Sequence, residues 1–315
     1  MSDRLRAALP WLLLATAIAF PWAAQAADQH FYIGFVRRIL IFALAAASLN
    51  LILGFGGMVS LGHAAFFGIG AYTVAVLMSE GVTSVWIAWP AAVALAALAS
   101  VIIGAVSLRT RGVYFIMITL AFAQMVYYVA IGLKKYGGED GLNLPGRSEL
   151  ALGALRLDLG NDIVFYYVAL ALFAAAMLAI NRMIGARFGR ALIGIRENEA
   201  RMEGIGFATF RIRLIAFVIA GSLAGLAGAL FANHNLFVSP ATLHWTQSAT
   251  LVIMVILGGI GYRYGGLAGA AALLAFEEVL ALYTDYRHFA LGIVLLIVVF
   301  AAPSGLAGLL PRRFH

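Results

Sequence analysis

The chain has 315 residues, of which 63% are hydrophobic and only 11% charged, against roughly 45 to 50% apolar and about 25% charged in an ordinary soluble domain. That composition leaves too little polar surface for a protein in water, and the apolar residues fill on the order of ten membrane spans of about 20 residues each. No cysteine is present, which excludes disulfides, thiol nucleophiles and zinc ribbons; the net charge of +7 sits in short basic clusters between apolar runs, unlike the continuous stripe that binds nucleic acid.

Long apolar runs predict spans near residues 10–26, 36–54, 61–79, 84–107, 112–133, 162–181, 212–232, 246–261, 266–284 and 288–309. The expected fold is all-α, a single polytopic membrane domain over residues 1–315 with about ten helices, some broken at glycines. An even number of crossings puts both termini on one side. Lys and Arg concentrate in cytoplasmic loops. With the N-terminus inside, Arg37, Arg38, Lys134, Lys135, Arg147, Arg156 and Arg287 fall outside and the other fourteen of the 21 basic residues inside. Cytoplasmic termini are therefore expected, with Arg37 and Arg38 as the main dissent. In the first run, Arg4 and Arg6 precede an apolar stretch from Trp11 to Phe20 and Ala24-Gln25-Ala26 follows, the form of a cleavable signal peptide. It is read as an uncleaved helix because Leu9 to Ala27 approaches spanning length.

The second and third runs are separated by a dense glycine segment in which Gly54, Gly56, Gly57 and Gly62 interrupt the helix. Interrupted backbone at membrane depth survives only where protein buries it or where it lines a cavity, and transporter sites are often built this way. A second break, Ile256-Leu257-Gly258-Gly259-Ile260-Gly261, echoes Ile52-Leu53-Gly54. Polar side chains inside spans are costly and usually face a pathway or another helix. Asn50, Ser60, His63, Gln124 and Glu278 are the candidates for a pathway. Asn50 and Gln124 also fit a role as interhelical glue, and His63 that of a satisfied interior histidine. Glu277 and Glu278 point about 100° apart on a helix, so at most one faces a pathway and the other reaches an interface or a basic residue. Gly221, Gly225 and Gly228, and again Gly261, Gly265 and Gly269, have the small-residue spacing of tight membrane helix pairs.

Two connections exceed a turn. Residues 134–161 fall outside the cell membrane, where a soluble donor docks or solute enters. Residues 182–211 fall inside; there Leu192, Ile195, Met202 and Ile205 line one side of a short helix, with Arg196, Glu197, Arg201 and Glu203 around the rest and glycines at its end.

Catalytic signatures are missing. The only lysines, Lys134 and Lys135, do not follow glycine, so the chain has no P-loop. Zincin and nucleophile-elbow patterns are absent, and Ala302-Pro303-Ser304-Gly305 reads as a helix-ending turn. No enzymatic activity, cofactor or metal is expected.

Three stretches together resemble the permease subunits of branched-chain amino-acid ABC importers, the LivH/LivM family, and its LivM side more closely. They are Leu49 to Gly57 running into Ser60-Leu61-Gly62-His63-Ala64-Ala65-Phe66; Arg111-Gly112-Val113-Tyr114-Phe115 running into Thr119-Leu120-Ala121-Phe122; and Gly189-Arg190-Ala191-Leu192 through Leu226-Ala227-Gly228-Ala229-Leu230. Gly137-Gly138-Glu139-Asp140-Gly141-Leu142 looks like the family's Gly-Gly-x-x-Gly-Leu turn. The likeness covers roughly residues 35–305. It implies a bacterial inner-membrane location, with a second homologous permease, two cytoplasmic ATP-binding subunits and a periplasmic substrate-binding protein as partners, besides membrane lipid. It also implies that residues 182–211 dock on an ATPase, through Arg190, Arg196, Glu197, Glu199, Ala200 and Gly204. Asn198-Glu199-Ala200, three residues and Gly204 form a loose version of the importers' Glu-Ala-Ala…Gly signature. Physically, a short charged helix on the basic side of a pore suits such docking, and a permease without an ATP site needs it. A self-sufficient secondary transporter or channel is the main rival, followed by a permease of the same family for urea, amides or aromatic acids; an intramembrane enzyme ranks last.

Overall fold

In the computed structural model the described residues are 15–25, 28–152, 155–283, 286, 289, 291–293, 296, 300 and 305–309. Most of the expected 288–309 span, the turn at Ala302-Pro303-Ser304 and residues 1–14 lie outside them. Residues 15–25 are helical. The further α-helices whose bounds lie within the described residues are α1 (His30–Asn50), α2 (His63–Ser79), α3 (Val85–Ser107), α4 (Val113–Gly132), α5 (Asp162–Gly185), α6 (Arg187–Glu197), α7 (Glu199–Gly204), α8 (Thr209–Asn235), α9 (Trp245–Gly258) and α10 (Gly265–Tyr283). A π-helical turn, Leu51–Phe55, extends α1. Among the described residues six helices are long and apolar enough to cross a membrane, and α2 and α9 are shorter apolar helices.

Burial sorts these helices. The span Phe31–Phe55 has a mean hydropathy of 2.0 and is 89% buried, which makes α1 the central helix, whereas α4 is 22% buried and lies at the periphery. Aromatic rings fill the space around the centre: Phe42 meets Phe67 and Phe231 at centroid distances of 5.9 and 5.8 Å, and Phe66 meets Phe217 edge-on at 5.5 Å. Helical residues 15–25 hold to α5 where the Tyr166 and Tyr167 hydroxyls donate to the carbonyls of Ala17 and Ile18, both at 2.8 Å.

Small residues let the backbones touch, as their spacing predicts. A Cβ on Gly228 would overlap the Phe67 carbonyl of α2, one on Gly70 the Gly225 carbonyl, and one on Gly221 would stand 2.6 Å from Ser100 Cβ of α3. Gly258 and Gly269 do the same between α9 and α10, and Gly266 meets the Ala46–Ala47 backbone of α1. Lipid is as apolar as a leucine side chain, so close dispersion contact replaces water exclusion as the force between these helices.

At 14 and 17 residues, α9 and α2 are only about 21 and 26 Å long, short of a core about 30 Å thick. Irregular segments on their N-terminal sides make up the difference, and protein buries them: Ser60, Gly62, Val238, Pro240, Thr242 and Leu243 are all buried. Gly62 offers no side chain to cap α2, and Ser248 of α9 does so from across the bundle, its Oγ accepting from the Ala64 N–H at 2.8 Å.

The long 134–161 connection is folded and tied down. Its strand β1 (Leu142–Asn143) pairs antiparallel with β4 (Phe237–Val238) after α8, and β2 (Leu150–Leu152) pairs with β3 (Leu155–Leu157). Lys135 Nζ donates to Glu80 Oε1 at 2.6 Å; this bond and a second from the Tyr136 hydroxyl hold the Glu80 carboxyl below the usual range, and the bonds of Lys135 to Glu80 and to Tyr136 Oη hold the ammonium above its own. The Ser148 N–H donates to Asn233 Oδ1 at 2.7 Å.

The 182–211 segment departs from the expected single helix. α5 runs on to Gly185, and the rest is two helices separated at Asn198. Asn198 is extended, at φ −157°, and its Oδ1 accepts from the Arg201 N–H at 2.9 Å, capping α7 and stopping α6. Leu192 and Ile195 are accordingly buried and Met202 half-buried, but Ile205 is exposed rather than on their side. Gly206, at φ +87°, ends α7, with the Phe207 N–H donating to the Met202 carbonyl at 3.0 Å.

Candidate functional site

Two glycine breaks 200 residues apart in sequence meet in space. The first is the end of α1: Gly57 takes φ +68° and the Met58 N–H closes back on the Ile52 carbonyl at 2.9 Å. The second joins α9 to α10 through Gly259 and Gly261, at φ +113° and +79°. A Cβ on Gly54 would stand 2.5 Å from Gly261 N, so no residue but glycine fits there. Asn50 stitches the two together: its Nδ2 donates to the Tyr262 carbonyl at 2.8 Å and its Oδ1 accepts from the Gly261 N–H at 3.0 Å. Both ends of the amide bond to the backbone of the second break, which makes Asn50 glue between breaks.

The predicted coupling segment reaches this junction. Arg196 Nη1, from the last turn of α6, donates to the Gly54 carbonyl, one of those a helix end leaves without a partner. Its stem packs on Gly57, where a Cβ would stand 2.9 Å from Arg196 Cγ, and its Nη1 lies 3.6 Å from a Cβ built on Gly261. Gly56 packs against the same helix, since a Cβ there would stand 3.4 Å from Leu192 Cδ1. Glu199 bridges Arg213 at 2.9 Å and Arg111 at 3.2 Å, joining α7 to the start of α8 and to the α3–α4 turn. These groups surround a cavity of about 290 Å³ that Gly56, Gly57, Arg111, Arg196, Glu199 and Arg213 help to line. Glu199, its side chain only 14% exposed, is therefore an internal brace. Arg190 donates to the Gly185 carbonyl at 3.0 Å and is exposed, as are Glu197, Ala200 and Gly204.

The other pathway candidates separate. Ser60 is buried and accepts from the Gly62 N–H at 3.2 Å. His63 is fully buried, with Nε2 2.8 Å from Ser48 Oγ. The Ser48 hydroxyl already donates to the Ala45 carbonyl, so His63 Nε2 supplies the proton of this bond, and Nδ1 has no partner among the described residues. Gln124 is half-buried on α4. None of these three lines either cavity. Glu278 does: it borders a second cavity, of about 600 Å³, at the opposite end of the bundle. Its neighbour Glu277 accepts from Arg38 at 3.5 Å, the division of labour that adjacency on a helix requires.

Sequence reasoning passed over the network beside that second cavity. Arg37, with 4% of its side chain exposed, donates to Asp162 Oδ1 at 2.8 Å and to His234 Nδ1 at 3.0 Å and lies 4.7 Å from the Phe165 ring; Arg147 reaches the same carboxylate at 2.7 Å. Its disagreement with the loop-charge trend was the available signal, because Arg37 is a brace inside the bundle and reports no sidedness.

An all-α bundle of apolar helices with glycine-broken backbone at its centre and internal ion pairs defines a polytopic membrane permease. A family described as the permease component of branched-chain amino acid transport systems matches residues 31–300, and the chain belongs to it. It is thus a membrane-spanning permease component of an ABC import system. It is 29% identical over 314 residues to the high-affinity branched-chain amino acid transport system permease protein LivM of Escherichia coli, covering 93% of this chain and 73% of that one. A probable LivM of Methanocaldococcus jannaschii is 25% identical over 237 residues, 68% of this chain and 67% of its own. The LivH permease of Salmonella typhimurium is 24% identical over 281 residues, 85% of this chain and 91% of its own. No solved structure matches the chain.

Proposed function

We propose that this permease forms half of a pathway for branched-chain amino acids, paired with a second, LivH-like permease, two cytoplasmic ATP-binding subunits and a periplasmic substrate-binding protein. Both termini are cytoplasmic and the chain catalyses no covalent chemistry. The observation that carries the mechanism is the Arg196 bond to the Gly54 carbonyl. An ATPase that moves α6 and α7 moves a guanidinium seated on one broken helix and beside the other, so ATP binding biases the pore between outward and inward states. Glu199, Arg111 and Arg213 keep α7 in step with α3, α4 and α8. The exposed residues Arg190, Glu197, Ala200 and Gly204 form the docking face.

The test is recovery of the chain from its native membrane in detergent, identification of what co-purifies, and leucine uptake by the recovered complex in proteoliposomes. Two ATPases, a related permease and ATP-dependent uptake are expected. Recovery of the chain alone with uptake independent of ATP would replace this reading with a secondary transporter.

A further inference from the structure

The 600 Å³ cavity among α1, α8, α9 and α10 has the size of a small-molecule site. Phe31, Phe35, Phe42 and Phe231 form its apolar wall, and Arg38 and Glu278 are its two charges. Both charges have capacity to spare. A guanidinium carries five N–H donors, and Arg38 commits one, at the long distance of 3.5 Å, to Glu277. Glu278 is half-buried and makes no ion pair or hydrogen bond with any described residue. A carboxylate on the cavity wall with no cation beside it among the described residues accepts an incoming ammonium. Gln247 and His234 add polar groups; His234 Nδ1 already accepts from Arg37, so a neutral ring carries its proton on Nε2 and donates from there.

We propose that this cavity is a binding station for a zwitterionic, apolar α-amino acid: Arg38 holds the carboxylate through paired N–H donors, Glu278 the ammonium, and the four phenylalanines enclose the aliphatic side chain. The station rests on the amino-acid reading above and sharpens it, because an uncharged amide or urea satisfies neither charge.

The probe is a diazirine analogue of leucine, photo-crosslinked to the purified permease complex in lipid nanodiscs without binding protein and mapped by mass spectrometry. Label is expected on the segments holding Phe31 to Phe42 and Phe231. Leucine competes it away, while leucinamide, lacking the carboxylate, and 4-methylpentanoate, lacking the ammonium, compete at least tenfold less well. Glu278→Gln and Arg38→Gln each lower cavity labelling at least tenfold in protein that remains monodisperse; the competition series on unaltered protein stands apart from any folding defect. Leucine uptake by the same complex with label only elsewhere, or with leucinamide competing as well as leucine, overturns the station and leaves the amino-acid reading standing. Neither uptake nor labelling overturns both.

Discussion

At the scale of single residues, the membrane interior makes every polar side chain answer for its partners. Asn50 gives both ends of its amide to the backbone of the second break. Asn50→Leu therefore strands the half-buried Gly261 N–H at about 1–3 kcal/mol, while the Tyr262 carbonyl keeps its bond from the Gly265 N–H, and the expected result is a drop in the thermal midpoint of the detergent-solubilised protein, followed by tryptophan fluorescence. An unchanged midpoint would mean that the two breaks are not held by this bond. Arg196 is a different case, being exposed and joined to Gly54 by its terminal nitrogen alone. Arg196→Met keeps the stem on Gly57 and removes the bond. The expected outcome is normal insertion and ATPase activity with leucine uptake reduced about tenfold; full uptake would sever the proposed link between α6 and the breaks.

At the scale of elements, helix pairing here depends on what is missing from the side chains. Gly228→Leu would drive a branched side chain into the Phe67 carbonyl of α2, a backbone atom that cannot rotate away. Overpacking of this kind costs about 1–3 kcal/mol or more, so the yield of monodisperse protein should fall sharply, whereas Gly204→Leu, at a site open to solvent with no atom within 4 Å of the added Cβ, should leave yield intact. The glycine spacing was legible in the sequence because it repeats along one helix face. The division of the 182–211 segment was not, because a pattern of apolar residues continues across Asn198 while its side chain quietly caps a new helix. Likewise Glu199 reads as a charged surface position in a loop, and only the approach of Arg111 and Arg213 from two other elements turns it into a brace.

At the scale of the whole molecule, contacts sort the helix ends into two sets. Residues 54–62, the α3–α4 turn, α6, α7, the start of α8 and the α9–α10 turn gather through Arg196, Glu199 and Asn50. The start of α1, the 134–161 connection, the start of α5 and the end of α8 gather through Arg37, Arg147 and Asn233. The second set also holds both residues that opposed the loop-charge trend, Arg37 and Arg38. The chain contains no cysteine, which makes it a ready background for sidedness mapping. Glu197→Cys is expected to react with a membrane-impermeant maleimide only from the cytoplasmic face, and Asp158→Cys only from the periplasmic face; the reverse pattern would invert the proposed orientation.

Composition and apolar run length by themselves determined that this is an all-α membrane protein and, among the described residues, where its long apolar helices lie, since a span is a local property of about 20 consecutive residues. They located both glycine breaks as well, because glycine changes the backbone wherever it stands. Tertiary structure alone decided that the breaks touch, that Asn50 joins them, that Arg196 caps one of them, and that Glu277 is paired while its neighbour Glu278 opens on a cavity. The reason is range: periodicity reports which face of a helix is apolar, but the partner of a buried polar group is chosen by how helices distant in sequence pack.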